Sequence, residues 1–281
     1  MVNNTIVNKS AVNHPWYKHP VIISASIINA FILLLALAWS GNPHELSRLL
    51  VEDGIVEWMQ FLAFSLTAGL LGYVAVDRWK NGGMRLEVLV LLGLTGLVAL
   101  AALEEISWFQ RILQIQSPEF FVQNNRQAET NLHNLGFGKE SLHKAVLLKV
   151  ILITGLIHNL FLPLLARKRP AVRTFVERCG LYLPPLAASI PYLILVILSH
   201  VLIEHPRKGE LGETFGAVHY MATVFGAYFV GVAYDKKPLF AGLDARRVSV
   251  LFTLLMFYLL MTGWMLSAGA GAVVTAVVTG D

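Results

Sequence analysis

The sequence predicts an all-α, polytopic membrane protein, a bundle of about seven transmembrane helices. Three observations carry this. Of 281 residues, 56% are hydrophobic and 14% charged, against about 25% charged in soluble domains, and mean hydropathy is +0.61. The apolar residues gather into runs of roughly 20, the length that crosses about 30 Å of hydrocarbon. Lysine and arginine concentrate in every second loop, as expected for a chain threading back and forth through a bilayer.

Residues 1–19 read as a cytoplasmic N-terminal tail containing Lys9 and Lys18, and residues 20–281 as a single transmembrane domain. The spans fall at about 20–40, 55–76, 86–103, 145–166, 183–204, 213–234 and 247–267. The first outlasts the roughly 7–15 apolar residues of a signal peptide and reads as an uncleaved anchor. Spans two and three are joined by the short turn 77–85, with Gly82-Gly83. Pro191 should kink the fifth span. Gly212 and Gly216 form a GxxxG that permits close helix contact. The Ala/Gly/Val-rich tail after Ala268 reads as an extension of the last helix. Cys179 is the only cysteine, which excludes an intrachain disulfide and a Cys-based zinc site.

The basic loops set the orientation. Arg78, Lys80 and Arg85, then Arg167, Lys168, Arg169, Arg173 and Arg178, then Lys236, Lys237, Arg246 and Arg247 occupy alternate connections. The positive-inside rule puts them and the N-terminus in the cytoplasm and the C-terminus outside. The formal charge of +4 is accounted for in this way and calls for no nucleic-acid partner. The other loops then share the outer face: Glu52, Asp53 and Glu57, the segment 104–142, and Glu204, His205, Glu210 and Glu213. The localisation expected is a bacterial inner membrane, crossed several times.

The candidate site residues lie at that face. Segment 104–142 reads as a polar, partly helical outer loop that opens EEISWFQR. If the third helix continues past the bilayer edge, Glu104, Ser107, Trp108 and Arg111 share one side. Adjacent carboxylates at a membrane boundary are costly unless paired or metal-bound, so Glu104, Glu105 and Glu57 are catalytic candidates, as is His219. Arg111, Gln110, Asn125, Asn131 and Trp108 are substrate-binding candidates. Glu129 with His133, and His200 with Glu204, are spaced i,i+4; on helices each pair would aim a carboxylate and an imidazole at one point, which suits a metal. His158, about 20 Å into its span, is the outlier in depth. The same residues also read as an interfacial helix end, a polar surface helix and buried histidines satisfied between helices.

The runs EEISWFQR, QAETNLHN and, upstream, EDGIVEW resemble a family of uncharacterised bacterial multi-pass membrane proteins, over about residues 50–135. Its usual form reads EEISWGQR, with glycine where this chain has Phe109. The resemblance implies a shared site and carries no reaction with it. Glu104-Glu105 and Phe215-x-x-x-His219 are similar to motifs of CAAX-protease-like membrane peptidases, but Arg111 stands six positions beyond Glu105, not four, and no histidine follows His219. Alkaline-ceramidase-like hydrolases are similar in architecture alone.

The first functional expectation is a membrane-embedded enzyme, a hydrolase of a lipid or lipid-linked substrate with its site at the outer face. A bound metal would be Zn or Fe, since mixed His and carboxylate ligands suit these better than Mg or Ca. The alternatives are a proton- or cation-handling transporter or ion-coupled subunit, and a non-catalytic subunit of a larger membrane complex. The partners expected are membrane lipids and a second copy of the chain or a larger membrane assembly.

Overall fold

The computed structural model describes residues 20–132, 134–137, 140–142, 146, 148–184, 186–230 and 245–267. The expected tail 1–19, His133, the loop carrying Lys236 and Lys237, and the extension after Ala268 lie outside the described residues, as does the side chain of Arg111.

The described chain is helical apart from one short antiparallel pair. Helix α1 (Pro20–Ala38) is followed by α2 (Pro43–Leu50), α3 (Ile55–Lys80), α4 (Arg85–Glu105), the short α5 (Gln110–Leu113) and α6 (Glu119–Asn124). Strands β1 (Gly136–Phe137) and β2 (Glu140–Ser141) then pair, Gly136 opposite Ser141. Helices α7 (Leu148–Leu156) and α8 (Leu162–Lys168) are joined through a π turn, Ile157–Phe161, whose flanking residues keep right-handed helical dihedrals. After α9 (Pro170–Arg178) come α10 (Leu186–Leu202), α11 (Gly209–Phe225) with a second π turn (Gly226–Val230), and α12 (Ala245–Leu266).

The protein is a membrane protein. Four helical runs among the described residues are long and apolar enough to cross a bilayer: Val21–Ala38, Pro43–Lys80, Arg85–Glu105 and Arg247–Leu266. The second comprises α2 and α3, with the turn at Gly54 between them. Helix α2 was not expected. Its sequence PHELSRLL is too short and too polar for an apolar-run criterion, yet it buries Leu46, Leu49 and Leu50. Asn42 caps it, accepting from the Glu45 amide, and Pro43 holds the first turn.

The main core joins α1, α2, α3, α11 and α12 through Ile32, Leu49, Leu50, Ile55, Met59, Phe215, Phe252 and Met256. Asn29 Nδ2 donates to the Phe215 carbonyl across it. Helix α3 packs along α4, α11 and α12, and α10 packs on α11. The glycines act as the GxxxG spacing implies: a Cβ on Gly212 would lie 3.5 Å from His200 Cε1, and one on Gly216 3.4 Å from the Tyr192 hydroxyl.

Loop contacts sort the bundle into two ends. At one, Arg78 lies 3.6 Å from Glu87, and Tyr228 donates its hydroxyl proton to the Gly180 carbonyl. A Cβ on Gly180 would lie 2.6 Å from Glu87 Cγ, so the α3–α4 turn and the 179–182 connection meet. At the other end, Glu52 binds both Arg207 and Gln127, and Ser47 meets His205. The 51–54 turn, the segment after α4 and the α10–α11 loop are gathered there.

Candidate functional site

The site end begins at the turn between α2 and α3. Gly54 has no room for a side chain: a Cβ would meet the Val51 carbonyl oxygen at 2.4 Å and that of Arg48 at 2.9 Å. Asp53 before it is left-handed, φ 58°. Glu57, in the first turn of α3, reaches back past the Gly54 N-cap and accepts from the Asp53 amide. Glu52 accepts from Arg207 Nη2 and from Gln127 Nε2 on the outer loop. Burial works against the Arg207 charge, but the hydrogen bond and charge of Glu52, with Glu210 and Glu57 further off, outweigh it and raise the guanidinium above its ordinary range. His205 Nδ1 accepts from the Arg207 amide at 3.2 Å. An amide only donates, so Nδ1 is the bare nitrogen and Nε2 carries the proton toward Ser47 Oγ, 3.3 Å away. Burial, then the Arg207 charge, push this imidazole below its ordinary value.

The second component is the end of α4. The expectation that this helix continues past Glu105 is not met. It stops at Glu105, and Ser107, Trp108 and Phe109 all take positive φ, 47°, 56° and 61°. Three successive left-handed non-glycine residues cost roughly 1–2 kcal/mol each and need support from their surroundings. Trp108 Nε1 donates to Glu104 Oε1 at 2.8 Å, the Leu132 amide donates to Glu104 Oε2 at 2.6 Å, and Phe109 packs edge-on against Phe61 of α3, centroids 5.7 Å apart. The left-handed state of residue 109 is one that suits glycine.

The described residues 125–132 are not helical, so Glu129 stands on no helix face. They form a turn held by buried amides. Asn125 Nδ2 donates to the Asn131 carbonyl at 2.9 Å, and Asn125 Oδ1 accepts from the Gln127 amide at 2.9 Å. Asn131 Nδ2 donates to Ser107 Oγ at 2.7 Å, and Ser107 Oγ donates to Glu129 Oε2 at 2.5 Å. Gln110 Oε1 accepts from the Thr130 amide at 2.5 Å. Asn125, Asn131 and Gln110, expected to meet substrate, are therefore engaged in building the loop.

The third component is a group of carboxylates around Glu105. Four others act on it electrostatically: Glu213 most strongly, then Glu210, Glu57 and Glu104. They arrive from α11, α3 and α4. Beside them, one turn along α3 from Glu57, Gln60 is completely buried. Its Nε2 donates to the Glu210 carbonyl and to Thr214 Oγ1, both at 2.9 Å. Its Oε1 is sealed from solvent and has no hydrogen-bond partner among the described residues.

The histidines do not join this group. His219 lies on the stripe of α11 that carries Gly212 and Gly216, facing α10, whereas Thr214 faces α3. Its ring stacks on Tyr192, centroids 4.8 Å apart and 9° from parallel. His219 Nε2 lies 3.1 Å from Asn159 Oδ1, on the π turn. His158 beside it packs edge-on against Tyr220, and its Nε2 is buried with no hydrogen-bond partner among the described residues. Sequence depth had set His158 apart from His219, but the π turn brings its neighbour Asn159 to that histidine.

The expected metal ligands make a poor donor set. His200 turns its Nδ1 to the Val196 carbonyl at 2.9 Å, and Glu204 is exposed beyond the end of α10 at Leu202. The i,i+4 helical face therefore fails at 200–204. Glu129 accepts from Ser107 and Asn131. Among the described residues no three His, Cys, Asp or Glu side chains are placed to hold one ion. His133, the fourth expected ligand, lies outside the described residues.

No family model, curated protein or solved structure matches this chain. The site therefore rests on its own geometry. Gln60, Glu210 and Glu213 were not named as site residues from the sequence. The available signal was Gln60, an amide three positions after Glu57 inside an apolar run, together with two glutamates opening the sixth span.

Proposed function

We propose that this chain is a membrane-embedded enzyme that works at the outer face of a bacterial inner membrane, using carboxylate acid–base chemistry on a lipid or lipid-linked substrate. The convergence of Glu213, Glu210, Glu57 and Glu104 on Glu105 carries this reading. Carboxylates whose charges act on a buried carboxyl at the edge of a low-dielectric slab are candidates for a general acid and base. Gln60 Oε1 adds a buried acceptor beside them, suited to a water or substrate hydroxyl. In the proposed step, a neighbouring carboxylate takes the proton of an attacking water, whose oxygen bonds to the substrate, and the buried Glu105, as the carboxylic acid, returns one to the oxygen whose bond to the substrate breaks.

The topology proposed with it has seven spans: the four long apolar runs, the α7–α8 pair across its π turn, α10, and α11 with its π turn. The basic loops are assigned to the cytoplasm.

The test uses purified protein in nanodiscs of total bacterial lipid, with lipid products followed by mass spectrometry. Wild type should release a product that Glu105→Gln and Glu213→Gln do not, both variants keeping the wild-type melting temperature. Equal products from all three would remove Glu105 from the chemistry. One observation favours a second reading, a proton- or cation-handling role: His158 and Asn159 stand on a π turn in the interior, and His219 of α11 meets Asn159. Proton flux into proteoliposomes that His219→Phe abolishes, with no lipid product from wild type, would decide for it.

A further inference from the structure

The segment between α4 and the loop knot is turned inside out for a chain in water. Its polar side chains face inward: Ser107, Asn125 and Asn131 are 1%, 6% and 3% exposed. Its apolar side chains face outward: Leu113, Ile115, Phe120 and Val122 are each more than half exposed, and Trp108 is 44% exposed. Among them stand exposed Gln114, Gln116, Glu119 and Gln123, the last two bonded to each other. In an aqueous loop such an apolar surface would be unfavourable and would mark an interaction face. Apolar side chains interleaved with polar ones are what the boundary between headgroups and acyl chains accommodates.

We infer that residues 108–123 lie in the outer leaflet interface, with Leu113, Ile115, Phe120 and Val122 among the upper acyl carbons and Gln116, Glu119 and Gln123 among the headgroups. Continuity identifies the occupant of this surface as lipid. The outer side of α4 is a belt of exposed leucines, Leu86, Leu89, Leu92, Leu97 and Leu100, leading directly to the segment. That belt belongs to a helix long and apolar enough to cross a bilayer. The backbone obeys the same constraint. In the adjoining loop the amides of Thr130, Leu132 and Asn134 donate to Gln110, Glu104 and Asn131, the internal bonding that non-helical chain needs when it leaves water. The inference stands on the membrane reading and not on the enzymatic one. Where both hold, phospholipid headgroups lie beside Glu104 and substrate enters sideways from the leaflet.

The test places single cysteines in a Cys179→Ala background at Leu113, Ile115 and Phe120, and at Gln116 and Gln123, each labelled with an environment-sensitive fluorophore. The protein is reconstituted in phosphatidylethanolamine/phosphatidylglycerol vesicles with doxyl labels high on the acyl chains, or titrated with aqueous iodide. Labels at the three apolar sites should be quenched about twofold or more better by doxyl lipid than by iodide, with the reverse at the two glutamine sites. Iodide quenching at all five with no doxyl effect would overturn the inference and mark the surface as one for a protein partner. A reading independent of cysteine variants compares wild type with Trp108→Phe in brominated lipid. The lipid-quenched part of the tryptophan emission should fall in the variant, and an unchanged quenched part would also overturn the inference.

Discussion

His219 Nε2 lies 3.1 Å from Asn159 Oδ1, joining α11 to a π turn 60 residues earlier in the chain. This separates His219 from the carboxylates it was grouped with by depth. Asn159 Nδ2 donates to the Gly155 carbonyl, so the amide oxygen is the atom that faces the ring. The π turn places Asn159 where it can meet His219, a use often made of such irregular turns.

The contact has a measurable worth. In His219→Phe the stack on Tyr192 is retained and the bond is lost. A double-mutant cycle with Asn159→Leu, read by unfolding in mixed micelles, should give a coupling of about 0.6–1.7 kcal/mol, the range for hydrogen bonds between membrane helices. Zero coupling would mean that the two residues do not stabilise one another.

Gly54 has no room for a methyl group between the Val51 and Arg48 carbonyl oxygens. Gly54→Ala should destabilise the protein by about 2 kcal/mol or more, because backbone has to move. Gly41, with open space around it, is the control, and Gly41→Ala should leave the melting temperature unchanged.

At Phe109, φ 61° and ψ 7° favour glycine, while the side chain contributes its contact with Phe61. Comparing two truncations removes the contact from both. Phe109→Gly should be more stable than Phe109→Ala by about 1 kcal/mol, since only alanine retains the left-handed penalty. The opposite order in denaturant titration would mean that residue 109 is not left-handed.

His205 predicts a pH dependence. Its folded-state pKa is lowered, first by burial and then by Arg207. The unfolded chain therefore binds the proton more readily. Stability should be level above the unfolded value near 6.5 and fall as pH drops below it. His205→Gln should flatten that part of the melting-temperature profile. A profile that rises toward acid in wild type and is flattened by the variant would reverse the sign and exclude this geometry.

Glu52 and Arg207 are 29% and 34% exposed in their side chains. Screening limits such a pair, and Glu52→Gln with Arg207→Met should couple by about 1 kcal/mol in low salt and less in high salt. Gln127 shares Glu52, so the larger consequence should be faster proteolysis of the outer loop.

Much of the frame was legible in the chain. Apolar runs mark where helices run, because a bilayer accepts little else, and α3 and α4 start within a residue of their expected positions. The glycine spacing at 212 and 216 foretold the close approach of α10 and α11. Helix α2 was not legible, since eight mixed residues carry no apolar run. The end of α4 was misread because periodicity gives no warning of three left-handed residues without glycine. The i,i+4 pair at 200–204 failed for a related reason: spacing describes a helix face only where there is a helix.

By itself the sequence determined the class of object, a helical membrane protein with its carboxylates toward one end, because composition and run length answer directly to the free energy of leaving water. The tertiary structure decided which of those residues meet. Glu105 senses the charges of Glu57, Glu210 and Glu213 because α4 and α11 both pack on α3, and His219 is held elsewhere because it lies on another side of α11. Such groupings depend on helix rotation and on irregular turns. Packing against neighbouring helices sets both, and no local stretch of sequence encodes that packing.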